Sequence, residues 1–349
     1  MRDCAFAIPG DHRQKTGGFI YERRLLEELA KTGRQVRHIV LPAEAAAVDQ
    51  SRTIRQQVDQ ILQARPADEP LILDGLVFGA MPTEALAQLS CPVVAMLHHP
   101  MGLEHGLSPT QSRRLLAQET ANLAKAAHIV VTSDHTRQTY IQLGADPERI
   151  TTALPGYDGS RDLPRLDTGP RILSVGLLAQ RKGHDVLIRA LGQLKDLDWT
   201  AQIVGKTHDP SVAAELASLI DGLGLVGRIS LAGELSDAAL SDAYRSARIF
   251  ALATRYEGYG MALAEALCHG LPIVTCATGA VPDTVGDAAL LAPVDDAEAF
   301  ATQLRTLLTS REARHDLGLR SRQLGRTLPR WADTASVMGG VLDALQSRP

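Results

Sequence analysis

The feature of this sequence that most restricts its fold is a regular alternation of short apolar runs with longer segments of helical periodicity. The apolar runs cover residues 4–8, 36–41, 71–74, 93–97, 129–132 and 150–154 in the first half, and 171–175, 200–204, 228–231, 249–253 and 273–275 in the second. Strands that are apolar on both faces and alternate with helices belong to parallel sheets covered on both sides. The pattern therefore predicts an α/β protein.

The helical segments lie between and after these runs, with apolar residues at helical spacing. They cover residues 19–31, 51–64, 109–126, 183–194, 212–223, 237–246, 260–268, 297–308 and 331–346.

The length of the chain predicts two domains, since it has 349 residues and a domain takes roughly 150. The stretch 155–170 holds three prolines and three glycines, a composition typical of a connection between domains. We predict a first domain over 1–157, a linker over 158–170 and a second domain over 171–330. Each domain is expected to be doubly wound, with the ligand cleft between them at the carboxyl ends of both sheets.

The composition excludes several classes of protein. Lys and Arg number 36 against 40 Asp and Glu, and this balance disfavours a nucleic-acid binder, which would carry a basic surplus. The sequence has no run of about 18 apolar residues, so we expect no transmembrane segment, and the first apolar run is too short for a signal peptide. The four cysteines form no CxxC pair, which fits buried thiols in a reducing cytoplasm.

The most informative segment, residues 255–274, passes from a strand through a glycine-rich turn into a helix. Glu257 and Glu265 are eight residues apart, or about 12 Å along a helix, a separation that suits the two ends of one hydroxyl-rich ligand. The helix start between them favours an anion such as a diphosphate, and Gly258 and Gly260 allow close backbone approach. A sugar nucleotide matches this layout, whereas the alternative interpretation is a helix start with an exposed glutamate pair.

A second segment, residues 174–188, occupies the first turn between strand and helix in the second domain. Open α/β sheets bind ligands at such turns. Arg181 and Lys182 supply positive charge there, while Gly176 and Gly183 supply tight backbone. A departing nucleoside diphosphate needs donors of this kind; taken alone, the pair would be interpreted as a solvated basic turn.

Together these motifs resemble those of a known family. The matching positions, in order and at family spacing, are Gly176, Lys182-Gly183, Val204-Gly205, Glu257-Gly258-Tyr259-Gly260, Glu265-Ala266 and Gly270-Leu271-Pro272. They resemble the retaining glycosyltransferases of the GT-B fold that form family four, the glycosyl transferases of group 1. The resemblance covers essentially the whole second domain and extends more weakly over the first.

The resemblance implies a role for each matching residue. Donor-binding residues would be Arg181, Lys182, Glu257, Tyr259, Gly260, Met261 and Glu265. By the family pattern, Glu257 contacts hydroxyls of the donor sugar, Glu265 bonds the ribose and Lys182 contacts the diphosphate. Leu177 stands where many members have arginine, and we expect Arg181 to supply that charge.

The first domain offers further matches. Gly17 and Gly18 resemble the family's glycine loop, which approaches the donor phosphates and the acceptor, although a lone Gly-Gly is more often only a turn. His98 occupies a position where family members commonly carry a histidine that contacts the donor sugar, and we count it with Lys182 and Glu257 as catalytic. His99 stays open as an alternative, as does a histidine that merely caps a strand end.

Two other segments have weaker matches to the family. Glu104 and His105 follow the histidines and are minor candidates for contact with the acceptor. Trp331 resembles the start of the C-terminal helix that crosses back onto the first domain in GT-B enzymes, so residues 331–349 are expected to pack there. The first domain would then be the acceptor side and the second would bind the nucleotide sugar.

The resemblance implies a retaining transfer from a UDP- or GDP-sugar that needs neither a metal nor another cofactor. The acceptor is left open among small molecules, glycans and lipid-linked compounds. We expect a cytoplasmic protein, with peripheral attachment to the inner membrane left open. The alternatives are a glycoside phosphorylase or sugar-phosphate synthase of the same fold, and a non-catalytic protein that binds nucleotide sugars.

Overall fold

The computed structural model describes residues 2–47, 49–104, 106–159, 161 and 169–345. The chain forms two compact units, one of residues 1–156 and 329–349 and the other of residues 157–328. The predicted linker 158–170 falls mainly on residues 160 and 162–168, which lie outside the described residues, as do the last residues, 346–349, of the predicted final helix.

The first unit contains a parallel sheet of six strands in the order β2-β1-β3-β4-β5-β6. The strands are β1 (Cys4–Pro9), β2 (Val36–Leu41), β3 (Leu71–Asp74), β4 (Val93–Leu97), β5 (His128–Val131) and β6 (Ile150–Thr152). The helices are α1 (Gly17–Lys31), α2 (Arg52–Gln63), α3 (Gly75–Ala80), α4 (Thr83–Ala87), α5 (Pro109–Leu123) and α6 (Asp134–Gln142).

Side chains that cap helix N-termini fix where several of these helices begin. The hydroxyls of Thr16, Ser51 and Ser108 accept hydrogen bonds from the backbone amides at the starts of α1, α2 and α5. Such caps satisfy amides that have no partner within the helix. The sequence thus determines locally where each strand-to-helix turn ends.

The second unit also contains a parallel sheet of six strands, in the order β12-β11-β10-β7-β8-β9. The strands are β7 (Arg171–Val175), β8 (Thr200–Val204), β9 (Ile229–Gly233), β10 (Ile249–Leu252), β11 (Ile273–Cys276) and β12 (Ala289–Ala292). The helices are α7 (His184–Gly192), α8 (Pro210–Gly222), α9 (Asp237–Ser246), α10 (Met261–Cys268), α11 (Val281–Val285), α12 (Ala297–Thr309) and α13 (Arg311–Thr327).

Helices cover both faces of the second sheet. Ile172 of β7 and Ala251 of β10 belong to one apolar core, whereas their chain neighbours Leu173 and Leu252 belong to another. Successive side chains of a strand point to opposite faces, so the two cores lie on the two sides of the sheet. With six parallel strands and interleaved helices in each unit, the predicted doubly wound α/β architecture is confirmed.

The strand order reverses beside β1 in the first unit and beside β7 in the second. The strand β1 lies between β2 and β3, and β7 lies between β8 and β10. At such a switch point the connections on the two sides leave in opposite directions, and ligands bind outside the carboxyl ends of the strands there. The loops that follow β1, β3, β7 and β10 therefore carry the residues of greatest interest.

The structure contains elements that the sequence pattern missed. The second sheet has a sixth strand, β12, whose four residues follow other small apolar residues and make no separate run. The long helix α13 was also missed, because it buries only three residues, Leu317, Ser321 and Gly325, and is otherwise polar. Sequence periodicity detects neither a very short strand nor a helix with so narrow an apolar stripe.

The last helix, α14 (Trp331–Ala344), belongs to the first unit. The hydroxyl of Thr334 donates a hydrogen bond of 2.7 Å to the carbonyl of Leu154. The indole of Trp331 makes an edge-to-face contact with Tyr21 of α1, with ring centroids 5.5 Å apart. These contacts tie α14 to α1 and to the end of β6.

All four cysteines lie within the described residues, where they are buried, and none forms a disulfide. Burial raises the pKa of the Cys4 thiol to about 12, of Cys268 to about 11 and of Cys276 to about 12.

Two helical glycines give a matched test of this packing. A Cβ on Gly325 of α13 would lie 2.4 Å from the carbonyl oxygen of Leu267 in α10, whereas a Cβ on Gly340 of α14 would meet nothing within 4 Å. Gly325→Ala should destabilise the protein by about 1–3 kcal/mol through overpacking. Gly340→Ala should stabilise it by roughly 0.5–1 kcal/mol through helix propensity. Urea unfolding followed by circular dichroism measures both changes, and equal effects would contradict the close α10–α13 contact.

Candidate functional site

In the second unit, the turn after β7 lies directly against the end of β10. Gly183 has a φ of +62°, and a Cβ there would lie 1.8 Å from the carbonyl oxygen of Ala253. No other residue fits without movement of the backbone. This close approach brings the preceding turn, Gln180–Lys182, next to the loop that follows β10.

That contact assembles a buried group of charges around Glu257. The ammonium of Lys182 lies 2.7 Å from Oε1 of Glu257, and Nη1 of Arg181 lies 3.7 Å from Oε2. The hydroxyl of Thr254 donates a 3.0 Å hydrogen bond to Oε1 of Glu257, and Arg181 also donates to the carbonyl of Tyr256 at 2.8 Å. Both carboxylate oxygens of Glu257 therefore face positive charge.

The surroundings of Glu257 keep this buried carboxylate ionised. Burial by itself would raise the pKa of Glu257, but the charges of Lys182 and Arg181 and the hydrogen bonds from Lys182 and Thr254 outweigh it. The resulting pKa lies below the ordinary value. A buried carboxylate with its counter-charges in place is a fixed negative group that can accept hydrogen bonds from ligand hydroxyls.

The helix that follows, α10, begins at a glycine in a left-handed conformation. Gly260 has a φ of +95° and precedes Met261, the first helical residue. The first amides of a helix have no carbonyl within it to bond, and the helix dipole makes this end positive. The start of α10 is therefore suited to an anion.

Glu265 lies in the second turn of α10 and differs from Glu257 in its electrostatics. The hydroxyl of Tyr244 donates a 2.8 Å hydrogen bond to Oε2 of Glu265. Burial raises the pKa of Glu265 to about 7, an effect that Tyr244 opposes and the charge of Asp237 adds to. This carboxyl group therefore changes its charge near neutral pH.

Aromatic rings extend from Glu265 to the first residue of the second unit. Tyr244 stacks on His269 with ring centroids 5.1 Å apart and planes 6° from parallel. Nε2 of His269 lies 3.2 Å from the hydroxyl of Tyr157. The stacked rings hold Tyr244, and through it Glu265, in one orientation.

Arg255 braces the turn that carries Arg181 and Lys182. Its guanidinium pairs with Asp185 at 2.9 Å and with Asp295 at 2.7 Å. Asp295 has a positive φ of 61° and lies in the turn before α12, which therefore holds an ion pair as well as a cap. The cap is Asp296, whose side chain accepts a 2.8 Å hydrogen bond from the amide of Ala299.

In the first unit the glycine loop and His98 meet at the ends of β1 and β4. Gly17 and Gly18 open α1, and a Cβ on Gly18 would lie 3.6 Å from Cδ2 and Nε2 of His98. Nε2 of His98 lies 3.9 Å from Oε1 of the buried Glu22. His99 instead turns to Glu104, whose carboxylate lies close to Nε2 of the ring, and His105 lies outside the described residues.

The structure thus brings some of the predicted residues together. Arg181, Lys182 and Glu257 share one cluster, while Gly260, Met261 and Glu265 follow along the start of α10. The backbone carbonyl of Tyr259 accepts a hydrogen bond from Thr284, and its phenol is buried. Gly17, Gly18 and His98 form a separate group within the first unit.

Sequence reasoning missed residues that contact these groups. They are Glu22, Asp74, Tyr244, Thr254 and Arg255. Glu22 had a signal, because it lies three and seven residues before the buried Leu25 and Leu29 and so places a charge on the apolar stripe of α1. Asp74, Tyr244 and Arg255 had no such signal, because their partners are distant in the chain.

Within the described ranges, no cluster of three or more His, Cys, Asp and Glu side chains has a geometry that could hold a metal ion. In the same part of the chain, no helix is both long and apolar enough to span a membrane.

Two family profiles match this chain. The profile described as glycosyl transferases group 1 matches residues 160–324, and that described as a glycosyl transferase 4-like domain matches residues 22–156. A D-inositol 3-phosphate glycosyltransferase of Xylanimonas cellulosilytica is 28% identical over 271 residues, covering 71% of this chain and 64% of that protein.

Solved structures show the same fold over nearly the whole chain. A sucrose-phosphate synthase from Thermosynechococcus elongatus superposes with a TM-score of 0.81 and 20% identity, covering 98% of both chains. Anabaena HepE, solved in complex with UDP and glucose, superposes with a TM-score of 0.77 and 16% identity, covering 99% of this chain and all of the other. The matched region spans only 34–64% of the length of the curated relatives.

The ion pair between Lys182 and Glu257 predicts a pH-dependent loss of stability in Lys182→Met. At pH 7 the variant should lose about 3 kcal/mol, because a buried carboxylate loses a counter-charge. The lowered pKa of Glu257 stabilises the folded protein above the ordinary carboxyl range, and this contribution disappears as the pH falls through the folded value. The loss should therefore shrink towards pH 4.

Urea unfolding at pH 7 and pH 4 measures this dependence. Lys206→Met, at an exposed lysine of the same unit, is the control and should change stability little at either pH. A loss in Lys182→Met that is the same at both pH values would show that the lysine stem stabilises by packing alone.

Proposed function

Because this chain belongs to the group 1 glycosyltransferases and has the GT-B fold, we propose that it transfers a sugar from a nucleoside diphosphate to an acceptor hydroxyl. The transfer retains the anomeric configuration and needs no metal ion. The observation that carries the proposal is the cluster of Glu257, Lys182 and Arg181 at the switch point of the second sheet, beside the start of α10.

The positive charges of this cluster suit a departing diphosphate. An ammonium has three N–H donors, and Glu257 engages one from Lys182. Arg181 and the start of α10 add further positive charge. Negative charge on the diphosphate grows as the glycosidic bond breaks, so groups fixed in advance at this position stabilise the transition state more than the bound donor.

Glu257 acts in this proposal by holding hydroxyls of the donor sugar. Its Oε1 accepts hydrogen bonds from Lys182 and Thr254, while Oε2 faces Arg181. A carboxylate engaged in this way is a weak nucleophile. We therefore infer that the acceptor attacks on the face from which the diphosphate leaves, within a short-lived ion pair, and that retention follows without a covalent intermediate.

The remaining donor contacts follow from the family pattern. Glu265 accepts hydrogen bonds from ribose hydroxyls, and the backbone of Tyr259, Gly260 and Met261 approaches the sugar and phosphates. In the first unit, His98 contacts the donor sugar, and Gly17 and Gly18 approach the phosphates.

The relatives' names give the first compounds to test. UDP-glucose is the first donor, because Anabaena HepE was solved with UDP and glucose, and GDP-sugars follow. D-inositol 3-phosphate is the first acceptor, because it appears in the name of a relative 28% identical to this chain. Other sugar phosphates and unphosphorylated sugars complete the set.

The proposal is tested with a panel of UDP- and GDP-sugars and these acceptors. We expect release of nucleoside diphosphate that depends on the acceptor, with full activity in excess EDTA. Lys182→Met should lower kcat by about 10²–10³, whereas the control Lys206→Met should not. NMR of the product should show the donor's anomeric configuration.

Other outcomes would contradict the proposal. Loss of activity in EDTA that magnesium or manganese restores would contradict metal independence. Transfer only to inorganic phosphate would indicate a phosphorylase, and donor binding without turnover across the panel would indicate a non-catalytic binding protein.

The raised pKa of Glu265 predicts a pH-dependent donor affinity. The ionised carboxylate bonds ribose hydroxyls more strongly than the neutral acid, so UDP-glucose should bind more tightly as the pH rises from 6 to 8 through the value of about 7. Glu265→Gln should bind several-fold more weakly at pH 8 and lose this dependence. Calorimetry measures the affinity of each protein for UDP-glucose at pH 6 and pH 8. The same pH dependence in the variant as in the wild type would contradict ribose binding by Glu265.

A further inference from the structure

Two carboxyl groups are buried together at the switch point of the first sheet. Glu22 follows the glycine loop after β1 and is 0% exposed, while Asp74 ends β3 and is 3% exposed. The strands β1 and β3 are neighbours, so their following segments place the two side chains in contact.

The described residues provide little to balance two negative charges there. Neither oxygen of Glu22 accepts a hydrogen bond from an amide, hydroxyl or basic group in that part of the chain; its hydrogen-bonding neighbour is the carboxyl of Asp74. Asp74 accepts a 3.0 Å bond from the amide of Val77. Among the described residues, the basic side chain close to the pair is His98.

Two buried carboxylates in contact cannot both ionise without a large cost. Burial raises the pKa of Glu22 to about 7, which a hydrogen bond from Asp74 opposes. Burial, followed by the charge and hydrogen bond of Glu22, raises the pKa of Asp74 well above its ordinary value. A proton therefore remains on Asp74 near neutral pH, where it can be donated to Glu22.

The third member of the group, His98, connects this pair to the surface. Its side chain is 23% exposed, whereas that of Glu22 is 1% exposed. Nε2 of His98 is itself buried and lies 3.9 Å from Oε1 of Glu22. The ring is therefore exposed to solvent through atoms other than Nε2.

We propose that Asp74 and Glu22 share one proton and that Glu22, as the anionic member, holds His98 as the neutral tautomer with its proton on Nε2. The imidazole nitrogen left as an acceptor is then Nδ1, which would take a hydrogen bond from a substrate hydroxyl. This inference rests on the proposed function, in which His98 contacts the sugar; Glu22 and Asp74 are positioning residues.

The other groups around the ring agree with this assignment. Tyr21 makes an edge-to-face contact with His98 at 5.3 Å between centroids, and its hydroxyl donates to the carbonyl of Ala153. Burial raises the pKa of Tyr21, so it stays neutral. Burial also lowers the pKa of His98, and the nearby carboxyl of Asp74 does not reverse this effect, so the ring stays neutral; His99 is engaged by Glu104.

The separation between His98 and Glu22 is too long for a hydrogen bond in the ligand-free protein. Such bonds are often long before substrate binds and shorten in the complex. Gly18, which lies against the His98 ring, leaves space for the ring to move, since even a Cβ on Gly18 would lie 3.6 Å from Nε2. We expect the contact between Nε2 and Glu22 to shorten when UDP-glucose binds.

The tautomer is measured by NMR of the wild-type protein labelled with ¹⁵N-histidine, with His98 assigned from the signal lost in His98→Asn. We expect His98 to be neutral and protonated on Nε2 at pH 8, where Glu22, with a pKa of about 7, is ionised, with and without UDP-glucose. Other buried carboxyl groups also titrate near pH 7, so the infrared measurement is a difference between wild type and each variant. The wild-type spectrum should contain a protonated-carboxyl band at the same pH that is absent in Asp74→Asn and in Glu22→Gln. A mainly Nδ1-protonated ring, or difference spectra without this carboxyl band, would overturn the proposal.

Two conservative variants separate positioning from packing. Asp74→Asn keeps a donor towards Glu22 in place of the shared proton, so it should keep kcat within about threefold of wild type. Glu22→Gln removes the anionic acceptor, so the Nε2-protonated fraction should fall and kcat should fall by about 10–100-fold, the usual cost of losing a group that orients a histidine. The KM for UDP-glucose should change less than about twofold.

The control is Glu28→Gln on the same helix, where Glu28 pairs with Lys31; its tautomer spectrum and kcat should match wild type. Equal losses of kcat in Asp74→Asn and Glu22→Gln, with no change in the His98 signals, would show a purely structural role and overturn the proposal. If Glu22→Gln does not fold, the spectra of the wild type and of Asp74→Asn still test whether the two carboxyl groups share a proton. If the wild type transfers no sugar, the proposed function is wrong. The His98 tautomer and the carboxyl band still test whether Glu22 and Asp74 share a proton.

Discussion

Parallel pairing of β7 with β10 at the centre of the second sheet is the constraint on which the candidate site depends. The two strands pair through Ile172 with Ile249 and Leu173 with Phe250, so the loops after them leave the same edge side by side. Gly183 lets one loop lie on the backbone of the other. Lys182 and Glu257, 75 residues apart in the chain, consequently form a hydrogen bond. The cluster exists because of the strand order and would be lost in any other register.

Glu257 in the second unit and the pair Glu22 and Asp74 in the first are buried carboxyl groups whose charge is balanced by different means. In the second unit, the charged side chains of Lys182 and Arg181 keep Glu257 ionised, with a pKa below its ordinary value. In the first unit, Glu22 and Asp74 are close to each other and to the weakly basic ring of His98, and we infer that a proton balances part of their charge. The first arrangement gives a fixed field suited to a charged leaving group, whereas the second gives hydrogen-bond directions suited to a neutral hydroxyl.

The sequence predicted the architecture because strand and helix periodicities are local signals. It also indicated Lys182, Glu257 and Glu265, since each belongs to a motif whose spacing is visible along the chain. It did not indicate that Lys182 bonds Glu257, nor that Tyr244 orients Glu265, because these contacts depend on which strands are neighbours. Glu22 was detectable in principle as a charge on an apolar stripe, but its partner Asp74 lies 52 residues away and only the sheet brings the two together.

The burial of all four cysteines has a practical consequence. Thiol reagents attack the thiolate, and the raised pKa values of Cys4, Cys268 and Cys276 leave almost none of it at neutral pH. A cysteine introduced on the surface of either unit would therefore react with a spectroscopic label far faster than these native thiols. The wild-type background already suits pairs of such labels, one on each unit, for measuring how the distance between the units responds to a nucleotide sugar.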